Sequence, residues 1–382
     1  MLAPFSQTDS KPLMRGFMRN AQASTFRMDF RILSILLLLA VVPLLLGSWW
    51  LFRSYENAYL DLAGNDLSQS ADTAFSVINT YLQNQIIQEA GLTEVPVLRE
   101  AVRQGNRDLQ RDLEAVRRAI PKMEGEWPKM KPDDPRMLAI LDSPASRFLD
   151  RYTKINPAYK EIMVTDFLGR LVAASERTSN YYQATEDWWK ETYGDGLRGT
   201  VYVGDIGFDE SSRSYAMELA QPFVESDLGV IGVIKVVLGA ETIHSIVGSF
   251  RAAPSAIAVL LRAKGEVISA PGYNLMDQST YPATLDILNA REKGRRYFVS
   301  TAAAPALYGL AQTSFVQLYP QLNWIVVTTE GVEEALGPLP QMRRYFIYLV
   351  VAVVLAGLVA AFLISRVESK PSIEEDAHLE RL

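Results

Sequence analysis

Two uncharged apolar runs near opposite ends of the chain constrain it most: Ile32–Phe52 (ILSILLLLAVVPLLLGSWWLF) and Tyr345–Ser365 (YFIYLVVAVVLAGLVAAFLIS), each 21 residues long. At about 1.5 Å per residue, a helix of that length reaches about 31 Å, the thickness of a bilayer's hydrocarbon core. Hydrocarbon offers backbone groups no partner, so each run is predicted to be a transmembrane helix. Trp49, Trp50, Tyr345 and Tyr348 lie near one end of each run, as interfacial anchors do. The first run leads into Trp-Trp rather than an Ala-x-Ala site, and 31 residues precede it. Both features argue against a cleaved signal peptide. Those residues hold Lys11, Arg15, Arg19, Arg27 and Arg31 against Asp9 and Asp29, which predicts a cytoplasmic N-terminus. Arg343 and Arg344 on the outer side weaken that argument without reversing it. The expectation is a two-pass protein of the inner (plasma) membrane, both termini cytoplasmic, with a large periplasmic or extracellular domain between the helices.

Composition narrows the function classes. Of the 382 residues, 48% are hydrophobic and 21% charged, with net charge −6, so the chain is neither a disordered tail nor a basic nucleic-acid binder. With no cysteine, disulfides, thiolate catalysis and Cys-ligated metals are excluded. The two histidines, His244 and His378, lie far apart in the chain, and neither has a second histidine at metal-ligand spacing. No nucleophile elbow, phosphate loop or dinucleotide fingerprint occurs. The reading is a non-enzyme with no catalytic residue, no metal and no cofactor.

The exported part has an order. Leu60, Ala63, Leu67, Ala71, Ala74, Ile78 and Tyr81 recur at steps of three and four, predicting a long amphipathic helix that serves as a stalk or as a dimer interface. A second helix is predicted over Val97–Ile120. The stretch 121–136, PKMEGEWPKMKPDDPR, has four prolines and alternating charges and reads as an exposed loop or insertion. A further helix near Met137–Ile155 should stop before Asn156-Pro157. Two strand–turn–strand units follow, EIMVTDFLGRLVAAS (161–175) and AIAVLLRAKGEVISA (256–270), each with a glycine in its turn, Gly169 and Gly265. Each is followed by an apolar strand, GVIGVIKVVL (229–238) and NWIVVTT (323–329), so one α/β unit is predicted to be duplicated. The expected segments are a cytoplasmic tail (1–31), a membrane helix (32–52), a helical stalk and loop (53–139), membrane-distal (140–248) and membrane-proximal (249–342) units, a second membrane helix (345–365) and a short tail (366–382).

In its order of elements, and in DFLGRLVAAS, YYQATEDWW, GTVYVGDIGFDESSRSYAMELAQPF and GVIGVIKV, the region 54–342 resembles the double Cache (dCache) family of extracytoplasmic sensors. The resemblance implies an α+β fold: two tandem PAS-like antiparallel-sheet units on a long N-terminal helix, flanked by two transmembrane helices. It also implies a small-molecule pocket in the distal unit and a relay or spacer in the proximal one. The ligand-binding residues expected from it are Tyr182, Glu186, Trp188, Trp189, Tyr202, Asp205 and Asp209. For the tryptophans the alternative reading is plain core and edge shielding; for the carboxylates it is solvated turn chemistry. The sequence departs from the amino-acid-sensing branch of the family. Glu186 stands where that branch has an arginine for the ligand carboxylate, Gly207 stands in place of its tyrosine, and the position of its amine-holding aspartate falls near Ile234. Glu186, Asp205 and Asp209 together would favour a cation.

By the same resemblance, ligand closes the distal pocket, the long helix shifts, and the second membrane helix moves as a piston or rotor. A homodimer through the helix beginning near Arg53 is expected, together with a cytoplasmic or envelope signalling partner. Residues 366–382 resemble only the opening turns of a HAMP helix, and no output domain is expected within the chain. The alternative is an exported scaffold that binds a partner protein and keeps a vestigial pocket.

Overall fold

The computed structural model describes residues 30–368 except 252–254 and 338. The two tails, with His378, lie outside the described residues. Two compact units result: Ala58–Gly337, and one made by the chain's ends, up to Asn57 and from Pro338.

In the terminal unit, α1 (Phe30–Thr93) begins with the first apolar run and carries Pro43; the side chains at 30–37 and 40 lie outside the described residues. Within this unit Phe52 stacks on Phe346, with ring centroids 5.6 Å apart. Among the described residues, one helical segment is long and apolar enough to cross a membrane, Gln341–Ala360, and none of it is buried. It starts earlier than the expected 345–365 and takes in Arg343 and Arg344.

In the larger unit, the stripe predicted on α1 is used within the chain. Leu67, Ala71, Ala74 and Ile78 are all buried, and Leu67, Ala74 and Ile78 belong to clusters shared with the sheets. That stripe is therefore not available as a dimer face. The predicted helix over 97–120 is two helices, α2 (Pro96–Arg111) and α3 (Leu113–Glu126), parted at Asp112, whose carboxylate caps α3 by accepting from Ala115 N.

The prediction of an exposed loop at 121–136 holds in part: most of its residues are exposed and 130–134 is irregular, but the stretch begins as helix and buries Trp127 and Met130. α3 continues through Pro121, and Trp127 beyond it is fully buried. Its indole N–H donates to Thr178 O at 2.9 Å, while the Glu124 carboxylate accepts from the amides of Tyr181 and Tyr182. Proline and charge count mark a segment without regular hydrogen bonding; here side chains supply the partners instead. The third predicted helix is also two, α4 (Pro135–Leu141) and α5 (Pro144–Ile155), each with proline at its start and an Asp134 or Ser143 cap. It stops at Asn156, as Pro157 requires.

Strands β1 (Tyr159–Asp166) and β2 (Leu171–Ala174) form the first hairpin. Helix α6 (Asp187–Tyr193), β3 (Tyr202–Val203), β4 (Gly207–Asp209), β5 (Ser214–Glu225) and β6 (Gly229–Gly239) complete the first sheet. Its order is β2-β1-β6-β5-β3, with β4 also on β5. Helix α7 (Glu241–Ser249) leads to β7 (Ile257–Arg262), β8 (Val267–Ser269), α8 (Thr284–Glu292), β9 (Tyr297–Ser300), β10 (Ala306–Leu310) and β11 (Trp324–Gly331). The second sheet runs β8-β7-β11-β10-β9, the same order as the first. Short α9 (Val332–Ala335) and α10 (Leu339–Glu368) follow.

The duplication reaches single hydrogen bonds. Gly169 and Gly265 both take left-handed φ, 84° and 87°, and their amides bond Asp166 O and Arg262 O. Both glycine carbonyls then accept from a later amide, Gln183 N and Tyr281 N. The hairpin ion pair is present in both copies with its charges exchanged: Asp166 with Arg170 at 2.7 Å, Arg262 with Glu266 at 3.5 Å. One face of each sheet shares a continuous core with α1. The opposite faces are covered separately, by α6 with the Trp127 segment and by α8.

Candidate functional site

Register decides which side chains share the α6 face of the first sheet. Met163 pairs with Lys235, Glu161 with Val237, Ala220 with Lys235, Glu218 with Val237 and Tyr202 with Ala220. Directly opposed residues point to the same face. Glu161, Met163, Lys235, Glu218 and Tyr202 therefore project together, under Trp188 and Trp189.

The apolar half of this face is a core cluster containing Met163, Val233, Trp127, Tyr181, Trp188 and Trp189. The other half is charged. Lys235, 7% exposed, donates to Glu218 Oε1 at 2.9 Å, and its ammonium lies 4.9 Å above the Trp188 ring. Glu161 is 2% exposed. Its Oε2 accepts from Ser211 Oγ at 2.6 Å, while its Oε1 is buried without a hydrogen-bond partner. Burial pushes the Glu161 carboxyl up to about 7, against the Ser211 hydrogen bond and the Lys235 charge. Asp209 accepts from Ser211 Oγ and Ser212 N, both at 2.7 Å. Burial opposes its ionisation, but the Ser212 and Ser211 hydrogen bonds and Lys235 hold it below the usual carboxylate value. Burial raises Glu176, and the Asp209 charge adds to it. The Tyr202 hydroxyl is pushed up to about 12 by burial and by surrounding carboxylates, Glu218 foremost.

The seven expected residues therefore part ways. Trp188, Tyr202 and Asp209 border the charged cluster. Trp189 is anchored in the core: its indole donates to Thr165 Oγ1 at 3.0 Å and its ring stacks on Tyr193 at 4.6 Å. Tyr182 bridges to Arg170 across the hairpin and is held through its amide. Glu186 is the residue before α6 and takes a 3.3 Å hydrogen bond from Asn180. Asp205 faces the second sheet: it accepts from Trp324 Nε1 at 2.7 Å and pairs with Arg262 Nε at 3.0 Å, an approach off the line of a hydrogen bond. The acidic patch expected from Glu186, Asp205 and Asp209 is thus not one patch, and the cation over Trp188 is the chain's own lysine. Sequence reasoning missed Glu161 and Lys235. Their signal was available: each is the one charge within an otherwise apolar stretch of strand, EIMVT and GVIGVIKVVL.

The second sheet supplies the control. The paired positions there are Ile257, Val327 and Tyr308 in place of Glu161, Lys235 and Glu218. The fold does not need charges at these positions; one copy has them and the other is apolar.

Tandem sheets on one long helix are the architecture that the double Cache resemblance implies. No family model matches the sequence, and no curated protein matches it. In fold the chain is similar to solved ligand-binding sensor domains of chemoreceptors. One is the ligand-binding domain of Campylobacter jejuni chemoreceptor Tlp3 in complex with 4-methylisoleucine, at 14% identity over 75% of this chain and 95% of that one, TM-score 0.48. Another is that of Pseudomonas fluorescens chemoreceptor CtaA in complex with L-isoleucine, at 12% identity over 74% and 97%, TM-score 0.43. These are likenesses of fold, and what those domains bind is a property of those domains.

Proposed function

We propose that the chain is a membrane-anchored extracytoplasmic sensor whose first sheet binds a small molecule carrying a protonated amine. The carrying observation is the charged cluster on the α6 face, set against the apolar face of the duplicate sheet. Glu161 Oε1 is a buried acceptor with no partner, and such a group costs free energy unless a ligand donor completes it. Four carboxyl groups, Glu161, Glu176, Asp209 and Glu218, surround one ammonium, Lys235, which leaves the cluster short of positive charge.

The hairpin from β4 into β5 is the movable cover. It reaches Glu161 through Ser211, and Arg213 in its turn holds a left-handed φ of 51°, a conformation that costs a non-glycine residue energy. Strand β5 connects site to helix: Glu218 points into the cluster, and three residues on, Gln221 donates to Ile86 O of α1 at 2.5 Å. A ligand that favours one setting of β5 thereby favours one setting of α1. The two membrane helices, at 32–52 and 345–365, anchor the domain. The homodimer is placed on the opposite face of α1, where Leu62, Val77 and Ile87 are exposed.

The test is thermal unfolding of the full chain in detergent against a panel of primary, secondary and quaternary amines, with carboxylates and sugars beside them. An amine at 100 times its dissociation constant should stabilise the protein by about 2.7 kcal/mol, and Glu161→Gln should remove the effect. Stabilisation by non-amines alone would refute the ligand class. A response that survives Glu161→Gln would refute the site.

A further inference from the structure

The second sheet is not merely a copy emptied of charge. Between β5 and β6 lie three residues, but between β10 and β11 lie thirteen, 311–323. This added loop closes a cavity of about 190 Å³ against the end of α8. Its walls include Arg291, Arg295, Gln312, Thr313 and Ser314, over a floor that includes Trp324.

The end of α8 is built to present these arginines. Gly294, at φ 62°, lets the chain reverse. Its amide bonds Arg291 O at 3.0 Å, and the Arg295 amide bonds Ala290 O at 2.9 Å. This double closure satisfies the last carbonyls of the helix and sets Arg295 beside Arg291. Across the cavity, Ser314 Oγ is 3.5 Å from an Arg291 guanidinium nitrogen. Among the described residues neither arginine is paired with a carboxylate, in a chain of net charge −6. An arginine in the last helical turn also complements the helix dipole, but that role requires neither the second arginine nor the facing hydroxyls.

We propose that this cavity is an anion site in the second unit, taking a compact oxyanion, a phosphate or a short carboxylate, through the Arg291 and Arg295 guanidiniums and the Thr313 and Ser314 hydroxyls. Guanidinium forks suit oxyanions because two parallel N–H groups match two oxygens. The site touches the first sheet. Trp324 in its floor donates its indole N–H to Asp205, three residues after Tyr202 of the amine site. The proposal does not depend on the amine reading.

The experiment is calorimetric titration of the full chain in detergent with inorganic phosphate and, separately, with succinate, at constant ionic strength in chloride. Saturable binding of at least one is expected, weakened roughly tenfold or more by Arg291→Gln and by Arg295→Gln. Trp188→Ala, remote from this cavity, should leave it unchanged. A phosphate response without a succinate response identifies the phosphate source, and the reverse identifies the carboxylate source; either supports the site. No saturable heat with either anion, or heat undiminished in the Arg291→Gln/Arg295→Gln double variant, would overturn it. Unchanged melting of the double variant in chloride separates lost binding from lost folding.

Discussion

Glu161 shows how one residue sets conditions for a whole sheet. Its carboxyl ordinarily titrates near 4.5 and in the fold near 7, raised by burial. The folded state therefore holds the proton more tightly than the unfolded chain. The stability that follows is present in full below about pH 4.5, is lost as pH rises towards 7, and is gone above it. The window is worth on the order of 3 kcal/mol. Glu161→Gln should flatten this slope, leaving the share of Glu89 and the other raised carboxyls, and melt higher than the parent at pH 8, measured by circular dichroism across the pH range. A variant that keeps the parent's slope would show that the proton is held elsewhere. Glu89 is the neighbouring case. It is wholly buried on α1, and burial raises its carboxyl well above the usual range. Gln221 faces it and opposes that rise through its side-chain amide, which also donates to Ile86 O. Glu89 gave no such signal in sequence, because a lone Glu in a helix looks the same exposed or buried.

At the scale of elements, the contact between α1 and the second sheet depends on a missing side chain. A Cβ on Gly309 of β10 would collide with the backbone of Leu67 and Ser68 on α1. Two hydrogen bonds from hydroxyl groups hold this approach: Ser68 Oγ donates to Leu310 O at 2.8 Å and Thr328 Oγ1 to Leu67 O at 2.6 Å. Gly309→Ala should push α1 off the sheet and cost about 1–3 kcal/mol. Chemical denaturation of the full chain measures it, and an unchanged midpoint would show that the helix slides freely. The periodicity of α1 was legible, and so was its apolar stripe. That the stripe would face the chain's own sheets rather than a second molecule was not, since alanine and leucine at helical spacing suit either partner. The 121–136 stretch misled for the complementary reason: its prolines suggest breaks, yet Pro121 lies inside α3, and Trp127 was the residue to weigh, a large apolar side chain that rarely stays in water.

For the whole molecule, the two-helix anchoring is the reading most open to direct test. The chain has no native cysteine, so single cysteines report without background. Ser24→Cys should be shielded from a membrane-impermeant maleimide in intact cells, and Lys131→Cys should be labelled. Labelling of both, or of neither, would refute a two-pass topology. Within the larger unit, the sheets are joined polar group to polar group by Trp324, Asp205 and Arg262, and the Arg262 guanidinium also donates to Ile206 O. In the sequence Asp205 reads as a ligand-binding residue or, alternatively, a solvated turn residue. Only its placement against the second sheet reveals its contacts with Trp324 and Arg262.

What the sequence determined by itself was whatever depends on local period and local chemistry. That covers one apolar helix long enough to span a bilayer, the helical register of α1, the two glycine turns at left-handed φ, and hence the repeated hairpin and the fold class. These follow from one stretch of chain, its hydrogen-bonding needs and its solvent. Tertiary structure alone decided which charges were buried together. Glu161 and Lys235 are 74 positions apart in the chain and share a face through the register of β1 on β6. Arg291 and Ser314 meet only because an added loop folds back on α8. Electrostatic character depends on distance and desolvation, and both are set by contacts that no local pattern encodes.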